Sequence, residues 1–163
     1  MNDEIKRKDS LLPKETEDMG DEKPLFYVGI GASAGGLEAL EKFFDSMSDD
    51  TKLAFIVVQH LSPDYKSMMV ELLSRHTSLE VYRSEDGMKV KANCIYLIPP
   101  KKNMTIFNGV LQLTEQDHRR GLNLPIDIFF RSLALDQRKN SIGIILSGTG
   151  SDGTLGIRAI KEV

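Results

Sequence analysis

Residues 31–35 read Gly-Ala-Ser-Ala-Gly and place the hydroxyl of Ser33 between two glycines. An apolar, β-prone run precedes them at residues 25–30, and apolar residues at helical spacing follow. A Gly-x-Ser-x-Gly sequence at a strand-to-helix turn is typical of a nucleophilic serine, because the glycines permit a tight bend and the hydroxyl lies beside the first N–H groups of the helix. Those N–H groups can stabilise the oxyanion of an attacked carbonyl. The segment therefore predicts a serine esterase.

Two further reactive side chains follow predicted strands. His60 comes directly after residues 53–59, and Asp152 lies in the glycine-rich loop that follows residues 141–147. Because ligands of parallel α/β sheets bind beyond the carboxyl ends of the strands, the three side chains are expected to share one edge. Nucleophilic acyl transfer needs this set: Ser33 attacks, His60 takes its proton, and Asp152 orients the imidazole and stabilises its charged form.

Each of these residues also has a purely structural interpretation. Ser33 could be a small residue in a turn, and His60 could be a hydrogen-bonded histidine at a strand end. Asp152 could cap the last helix, a role compatible with catalysis because a carboxylate has two oxygens. The coincidence of all three at strand ends favours the catalytic interpretation. His76 and His118 fit less well, since one closes a predicted surface helix and the other lies in a charged loop.

Strands and helices alternate along residues 25–163. The predicted strands are 25–31, 53–59, a short one near 79–83, 94–98, 104–107, 110–113 and 141–147. The predicted helices are 36–47, 66–76, 125–137 and 153–163, and residues 114–124 are predicted to be a loop. The dipeptide Asn108-Gly109 indicates a hairpin, since both residues tolerate positive φ. The predicted fold class is α/β: a doubly wound, mostly parallel sheet with helices on both faces and one antiparallel hairpin.

Composition indicates that the chain of 163 residues is one soluble domain, residues 25–163, preceded by a polar tail. Residues 1–24 hold five Lys or Arg and eight Asp or Glu, which accounts for the whole net charge of −3, and we expect this tail to be disordered. The neutral remainder argues against nucleic acid and anionic lipid as partners. No segment approaches the length of a membrane span. The single cysteine, Cys94, is consistent with a reducing cytoplasm, and the separated histidines argue against a metal site.

Several separated segments resemble the catalytic domain of CheB-type chemotaxis protein-glutamate methylesterases. The resemblance covers about residue 25 to the end. It rests on the order and spacing of residues 31–36, 58–63, 96–100, 124–127 with 131–134, and 146–153. The family's serine, histidine and aspartate fall on Ser33, His60 and Asp152. For the oxyanion hole, the N–H after the serine belongs to Ala34, and the N–H of the family's oxyanion loop maps to Thr149.

This resemblance implies a cytoplasmic enzyme that hydrolyses glutamate γ-methyl esters on the signalling helices of chemoreceptors and releases methanol. It implies no cofactor and a seven-stranded, doubly wound sheet. Some members of the family also deamidate specific glutamines. Methylated chemoreceptor helices are thus the expected partners.

Three departures from the family pattern matter. Many stand-alone members have Thr at the position of Ala34 and Met at that of Thr149. A receiver domain, which normally precedes the catalytic domain, is replaced by the short tail, so the chain looks most like the N-terminal module of methylesterase–methyltransferase fusion proteins, and a fused or separate methyltransferase is an expected partner. The family domain also continues with another strand and helix, which predicts that residues 25–163 are an incomplete domain.

Three other functions remain open from the sequence. A dinucleotide-binding domain is suggested by Gly29, Gly31 and Ala34, although Gln59 and His60 stand where an acidic residue is expected. A general α/β-hydrolase would need a later histidine as base and an acid before it. The candidates for those two roles are His76, His118, Asp64 and Asp86. The third is a catalytically silent receptor-binding or regulatory module of a signalling fusion protein.

Overall fold

A computed structural model of the protein describes residues 22–33, 35–60, 68–148 and 150–163. The strands are β1 (Phe26–Ala32), β2 (Leu53–Gln59), β3 (Glu80–Arg83), β4 (Cys94–Leu97), β5 (Lys102–Phe107), β6 (Val110–Glu115) and β7 (Ser141–Ser147). The helices are α1 (Leu37–Asp45), α2 (Met69–Ser74), α3 (Pro125–Gln137) and α4 (Thr154–Lys161), with 3₁₀ turns at His118–Arg120 and Arg138–Asn140. In the described part of the chain, no helix combines the length and apolar character needed to cross a membrane.

The central sheet has five parallel strands in the order β3-β4-β2-β1-β7. Alternate residues along each strand enter different clusters: Tyr27 packs with Phe129 of α3, whereas its neighbour Val28 packs with Phe44 of α1. A period of two places successive side chains on opposite faces. Both faces of the sheet are therefore covered by helices, which confirms the predicted doubly wound α/β class.

The antiparallel hairpin β5–β6 forms a sheet of its own. Its turn has Asn108 and Gly109 at positive φ, 50° and 72°, as the sequence predicted. The seven strands of the described residues are thus divided between two sheets, whereas the family resemblance implied one sheet of seven. The segment 114–124, expected to be a loop, contains the end of β6 and the 3₁₀ turn His118–Arg120.

A carboxylate of α3 holds the hairpin turn in place. Asp136 accepts hydrogen bonds from the N–H of Asn108 at 2.6 Å and from that of Gly109 at 3.0 Å. The hydroxyl of Ser132, one turn earlier, accepts from the N–H of Ile106 at 3.1 Å. The hairpin is therefore attached to α3 through polar contacts.

Helices α3 and α4 approach each other at Gly156. The buried Asp127 accepts a hydrogen bond from the N–H of Gly156 at 2.7 Å, so a side chain of α3 caps the first turn of α4. A Cβ added at Gly156 would lie 2.5 Å from the Cβ of Phe130 and 3.2 Å from the Cα of Asp127. Only glycine permits this separation, because neither contact is with the movable end of a side chain.

We expect Gly156→Ala to lower the free energy of unfolding by about 1–3 kcal/mol, because overpacking between the helices outweighs the roughly 1 kcal/mol that alanine gains in helix propensity. The urea midpoint of the purified chain measures this effect. Gly150→Ala is the matched control, since a Cβ at Gly150 meets nothing within 4 Å. An equal shift for both variants would contradict the close-packing argument.

Candidate active site

The carboxyl ends of three adjacent strands bring the candidate residues to one edge of the sheet. β1 lies between β2 and β7, so the residues that follow these strands are neighbours. The N–H of His60 donates to the carbonyl of Ala32 at 3.1 Å, and the N–H of Ser33 donates to the carbonyl of Ser147 at 3.0 Å. The strand pairing thus continues one residue past β1 on both sides, and it fixes the backbone of Ser33 next to that of His60.

The side chains of His60 and Asp152 form a hydrogen bond across this edge, although 92 residues separate them in the chain. The distance between Nε2 of His60 and Oδ2 of Asp152 is 2.6 Å. The carboxylate is largely enclosed, with 10% of its side chain exposed, whereas 43% of the imidazole side chain is exposed. Because Asp152 occupies Nε2, the nitrogen left to exchange a proton with another group is Nδ1.

Asp152 also caps the N-terminus of α3. Its Oδ2 accepts from the N–H of Ile126 at 3.1 Å, and its Oδ1 accepts from the N–H of Asp127 at 2.9 Å. Burial raises the pKa of Asp152, but the hydrogen bonds from His60 and from these N–H groups outweigh burial and leave the pKa below its usual value. The structural alternative considered from sequence, a cap on the last helix, is therefore wrong: Gly153 is the N-cap of α4, and Asp152 serves α3.

We expect Asp152→Asn to lower the free energy of unfolding at pH 7 by about 1–3 kcal/mol, because charge-assisted hydrogen bonds at a helix N-terminus are lost. A carboxylate whose folded pKa is depressed stabilises the fold above its ordinary pKa, and this contribution disappears as the pH falls through the folded pKa. The difference in the free energy of unfolding between wild type and variant, measured by urea unfolding, should therefore be smaller at about pH 3 than at pH 7. A difference that stays constant over this range would contradict the assignment.

The hydroxyl of Ser33 contacts a second hydroxyl at the same edge. Its Oγ lies 3.2 Å from Oγ of Ser147, the last residue of β7, and this is the side-chain hydrogen bond recorded for Ser33 among the described residues. The structure therefore brings His60 and Asp152 into direct contact, whereas the Ser33 hydroxyl, at the adjacent strand end, hydrogen-bonds Ser147 and not His60 within the described part of the chain. A rotation about the Cα–Cβ bond of Ser33 is the movement that redirects its hydroxyl.

Gln59 and Ser147 were not among the residues selected from the sequence. Gln59 is 4% exposed, and its Nε2 donates to the carbonyl of Ser33 at 3.3 Å, so its side chain helps to hold the turn between β1 and α1. Both residues end a parallel strand, as the position before His60 and the last residue of β7. The strand-end rule that selected Ser33 and His60 would have found them if amides and second hydroxyls had been considered.

Gly36 lets this turn close tightly. A Cβ at this position would lie 2.6 Å from the Cβ of Ala32, 2.8 Å from Oγ of Ser147 and 3.0 Å from the carbonyl oxygen of Ser33. The N–H of Gly36 donates to that same carbonyl at 2.9 Å. The glycine therefore allows α1 to begin directly against the Ser33–Ser147 contact.

The glycines of the dinucleotide fingerprint have a packing role here. A Cβ at Gly29 would lie 2.8 Å from the ring of Phe130, and one at Gly31 would lie 2.7 Å from Cγ2 of Ile126. Both glycines thus admit side chains of α3 against β1. This use argues against the dinucleotide interpretation, in which such glycines allow the backbone to approach a pyrophosphate.

The residues needed for a general α/β-hydrolase triad lie elsewhere. His76 pairs through Nδ1 with Asp45 at 3.0 Å and lies 3.6 Å from Glu41 through Nε2, so its ring is engaged by α1. Asp86 accepts from the N–H of Leu113 in the hairpin, and His118 lies in a 3₁₀ turn.

Asp64, Ala34 and Thr149 lie outside the described residues. Among the described residues, no group of three His, Cys, Asp or Glu side chains could hold a metal ion.

A doubly wound parallel sheet with polar side chains beyond its carboxyl edge defines an α/β domain of the class that binds ligands at that edge. The family model described as CheB methylesterase matches residues 28–163, and the chain belongs to this family. The fold is similar to the crystal structure of the Thermotoga maritima CheB methylesterase catalytic domain, with a TM-score of 0.74 and 27% identity over 84% of this chain and 75% of that one.

Relatives of known sequence agree with this placement. A protein-glutamate methylesterase/protein-glutamine glutaminase of Xanthomonas oryzae pv. oryzae is 34% identical over 134 residues, which are 80% of this chain and 37% of that protein. A protein of the same description from Desulfitobacterium hafniense is 29% identical over 144 residues, 85% of this chain and 37% of its own length. An uncharacterized 104.1 kDa protein of Rhodobacter capsulatus is 46% identical over 92 residues, 56% of this chain and 10% of that protein. The chain therefore spans well under half the length of these relatives.

Proposed function

We propose that this chain is a protein-glutamate methylesterase that hydrolyses glutamate γ-methyl esters with Ser33 as nucleophile, His60 as base and Asp152 as the group that orients the imidazole. The observation that carries the proposal is the 2.6 Å contact between His60 and Asp152 at the strand end next to Ser33. Membership of the CheB methylesterase family supports the reaction class. An imidazole held by a buried carboxylate beside a serine hydroxyl is the arrangement that activates such a nucleophile.

The reaction proceeds in two acyl-transfer steps. Ser33 Oγ attacks the ester carbonyl while Nδ1 of His60 takes its proton, and the tetrahedral intermediate collapses as that proton passes to the departing methoxide, which leaves as methanol. Water then gives a proton to the same nitrogen and attacks the acyl-enzyme, and the proton returns to Ser33 as the glutamate is released. The N–H groups of Ala34 and Thr149 are the proposed donors to the oxyanion. The route consumes ester and water only and requires no cofactor.

The proposed substrates are the methylated cytoplasmic helices of chemoreceptors, which places the reaction in the cytoplasm. A methyltransferase, fused to this domain or separate, must supply the ester that this reaction consumes. Glutamine deamidation at the same site is the related activity, and relatives whose names include protein-glutamine glutaminase support it. In that case ammonia replaces methanol as the leaving group.

A methylated receptor peptide tests the proposal directly. The full chain is incubated with a peptide that carries glutamate γ-methyl ester, and released methanol is measured together with the loss of one CH₂ from the peptide mass. A second peptide with glutamine at the same position measures deamidation. Binding of the methylated peptide without methanol release would instead support a catalytically silent receptor-binding module and would overturn the esterase proposal.

A further inference from the structure

Ser147 contacts the proposed nucleophile through two of its own atoms. Its carbonyl accepts the N–H of Ser33 at 3.0 Å, and its Oγ lies 3.2 Å from Oγ of Ser33. Ser147 is the last residue of β7, and β7 pairs with β1 along its length. The backbone of the sheet therefore holds Ser147 next to Ser33.

The Ser147 hydroxyl is also close to Gly36, the residue directly before α1. The space into which Oγ of Ser147 projects is the space that a side chain at residue 36 would fill, since a Cβ there would lie 2.8 Å from this oxygen. The register shift between β1 and β7 falls at this point, so that Ala32 pairs with Ser147. An irregularity in a parallel pair re-aims the side chain next to it. The hydroxyl of Ser147 thus points at Ser33 and lies against Gly36, at the start of α1.

We infer that Ser147 is a positioning residue whose hydroxyl donates a hydrogen bond to Oγ of Ser33 and stabilises the negative charge that develops there as His60 removes the proton. This inference rests on the proposed function. Each hydroxyl has one proton, so when Ser147 donates, the proton of Ser33 is left for Nδ1 of His60. A hydrogen bond to an oxygen that gains negative charge, here Oγ of Ser33, becomes stronger in the transition state. Its loss therefore lowers kcat rather than raising KM.

The test uses Ser147→Ala together with the isosteric pair Ser147→Thr and Ser147→Val, which differ from each other only in the hydroxyl. We expect Ser147→Ala and Ser147→Val to lower kcat for methanol release by about tenfold, with KM changed by less than about twofold, and Ser147→Thr to retain most of the rate. The rate at which an alkyl fluorophosphonate labels Ser33, followed by mass spectrometry, should fall in parallel. The Thr and Val variants decide the result if Ser147→Ala fails to fold.

The outcomes separate this inference from the proposed function. Wild-type labelling rates in Ser147→Val, or equal losses in the Thr and Val variants, would overturn the role of the Ser147 hydroxyl and leave Ser33 as the nucleophile. A wild-type chain that is not labelled at Ser33 would overturn both. Rescue by threonine with a change confined to kcat supports the inference, since a merely structural role would not depend on the hydroxyl.

Discussion

Ser33→Ala is expected to reduce methanol release from a methylated peptide by on the order of 10³- to 10⁶-fold, because it removes the proposed nucleophile, which attacks the ester and carries the acyl group until water releases it. The fold should persist, since among the described residues the side chain of Ser33 makes one hydrogen bond, with Ser147, and its backbone contacts remain. Steady-state methanol release, with circular dichroism and the urea midpoint as checks on folding, measures the effect. Peptide binding should be retained, since the methyl ester still fits beside the smaller alanine.

Ser46→Ala provides the matched control for this substitution. Ser46 is an exposed serine at the C-terminal end of α1, the end opposite to Ser33, and its hydroxyl donates to the carbonyl of Lys42. Its removal should leave the rate unchanged. A Ser33→Ala variant that released methanol at the wild-type rate would contradict the assignment of the nucleophile.

His60→Gln is expected to cost nearly as much as Ser33→Ala, because the base and the nucleophile act as one unit. The glutamine side chain can still donate a hydrogen bond to Asp152, so Asp152 keeps its position at the N-terminus of α3. The amide cannot, however, take a proton from Ser33. The double variant Ser33→Ala/His60→Gln should be no slower than the slower single variant. The measurement is methanol release by both single variants and the double variant under identical conditions.

His76→Gln tests whether the loss is specific to the histidine at the strand end. His76 also pairs with carboxylates, Asp45 and Glu41, but on α1 and away from Ser33. Its substitution should leave kcat within about twofold of wild type, because no reacting atom depends on it. Additive losses from Ser33→Ala and His60→Gln in the double variant would show that the two residues act independently, against the proposal.

The positions of the strands along the chain, and the sheet edge expected to carry the site, could be predicted from local sequence. Short apolar runs at residues 53–59 and 141–147 and the dipeptide Asn108-Gly109 determine where the chain extends and turns. Ser33 and His60 follow such strands directly, so the rule for parallel sheets was enough to select them. Their backbone proximity follows from β1 and β2 being neighbours.

Other features depend on packing that no local pattern reveals. The carboxylate of Asp152 caps α3 because the loop after β7 crosses the beginning of that helix, and sequence adjacency pointed instead to α4. The hydroxyl contact between Ser33 and Ser147 joins residues 114 positions apart. The attachment of the hairpin to α3 uses Asp136 and Ser132, which are 28 and 26 residues away from their partners Asn108 and Ile106 in the chain. Each of these arises from a long-range pairing of elements rather than from the residues of one element.

The exchange of carboxylates between α3 and α4 links the chemistry of this domain to its architecture. Asp152, just before α4, binds the N-terminus of α3, while Asp127 of α3 binds that of α4. Under the proposed mechanism, selection for turnover and selection for folding both act on Asp152, whereas selection on Ser33 and His60 is mainly for turnover. In relatives of this domain without hydrolase activity, we expect the residues at the positions of Ser33 and His60 to be substituted more often than the aspartate at the position of Asp152.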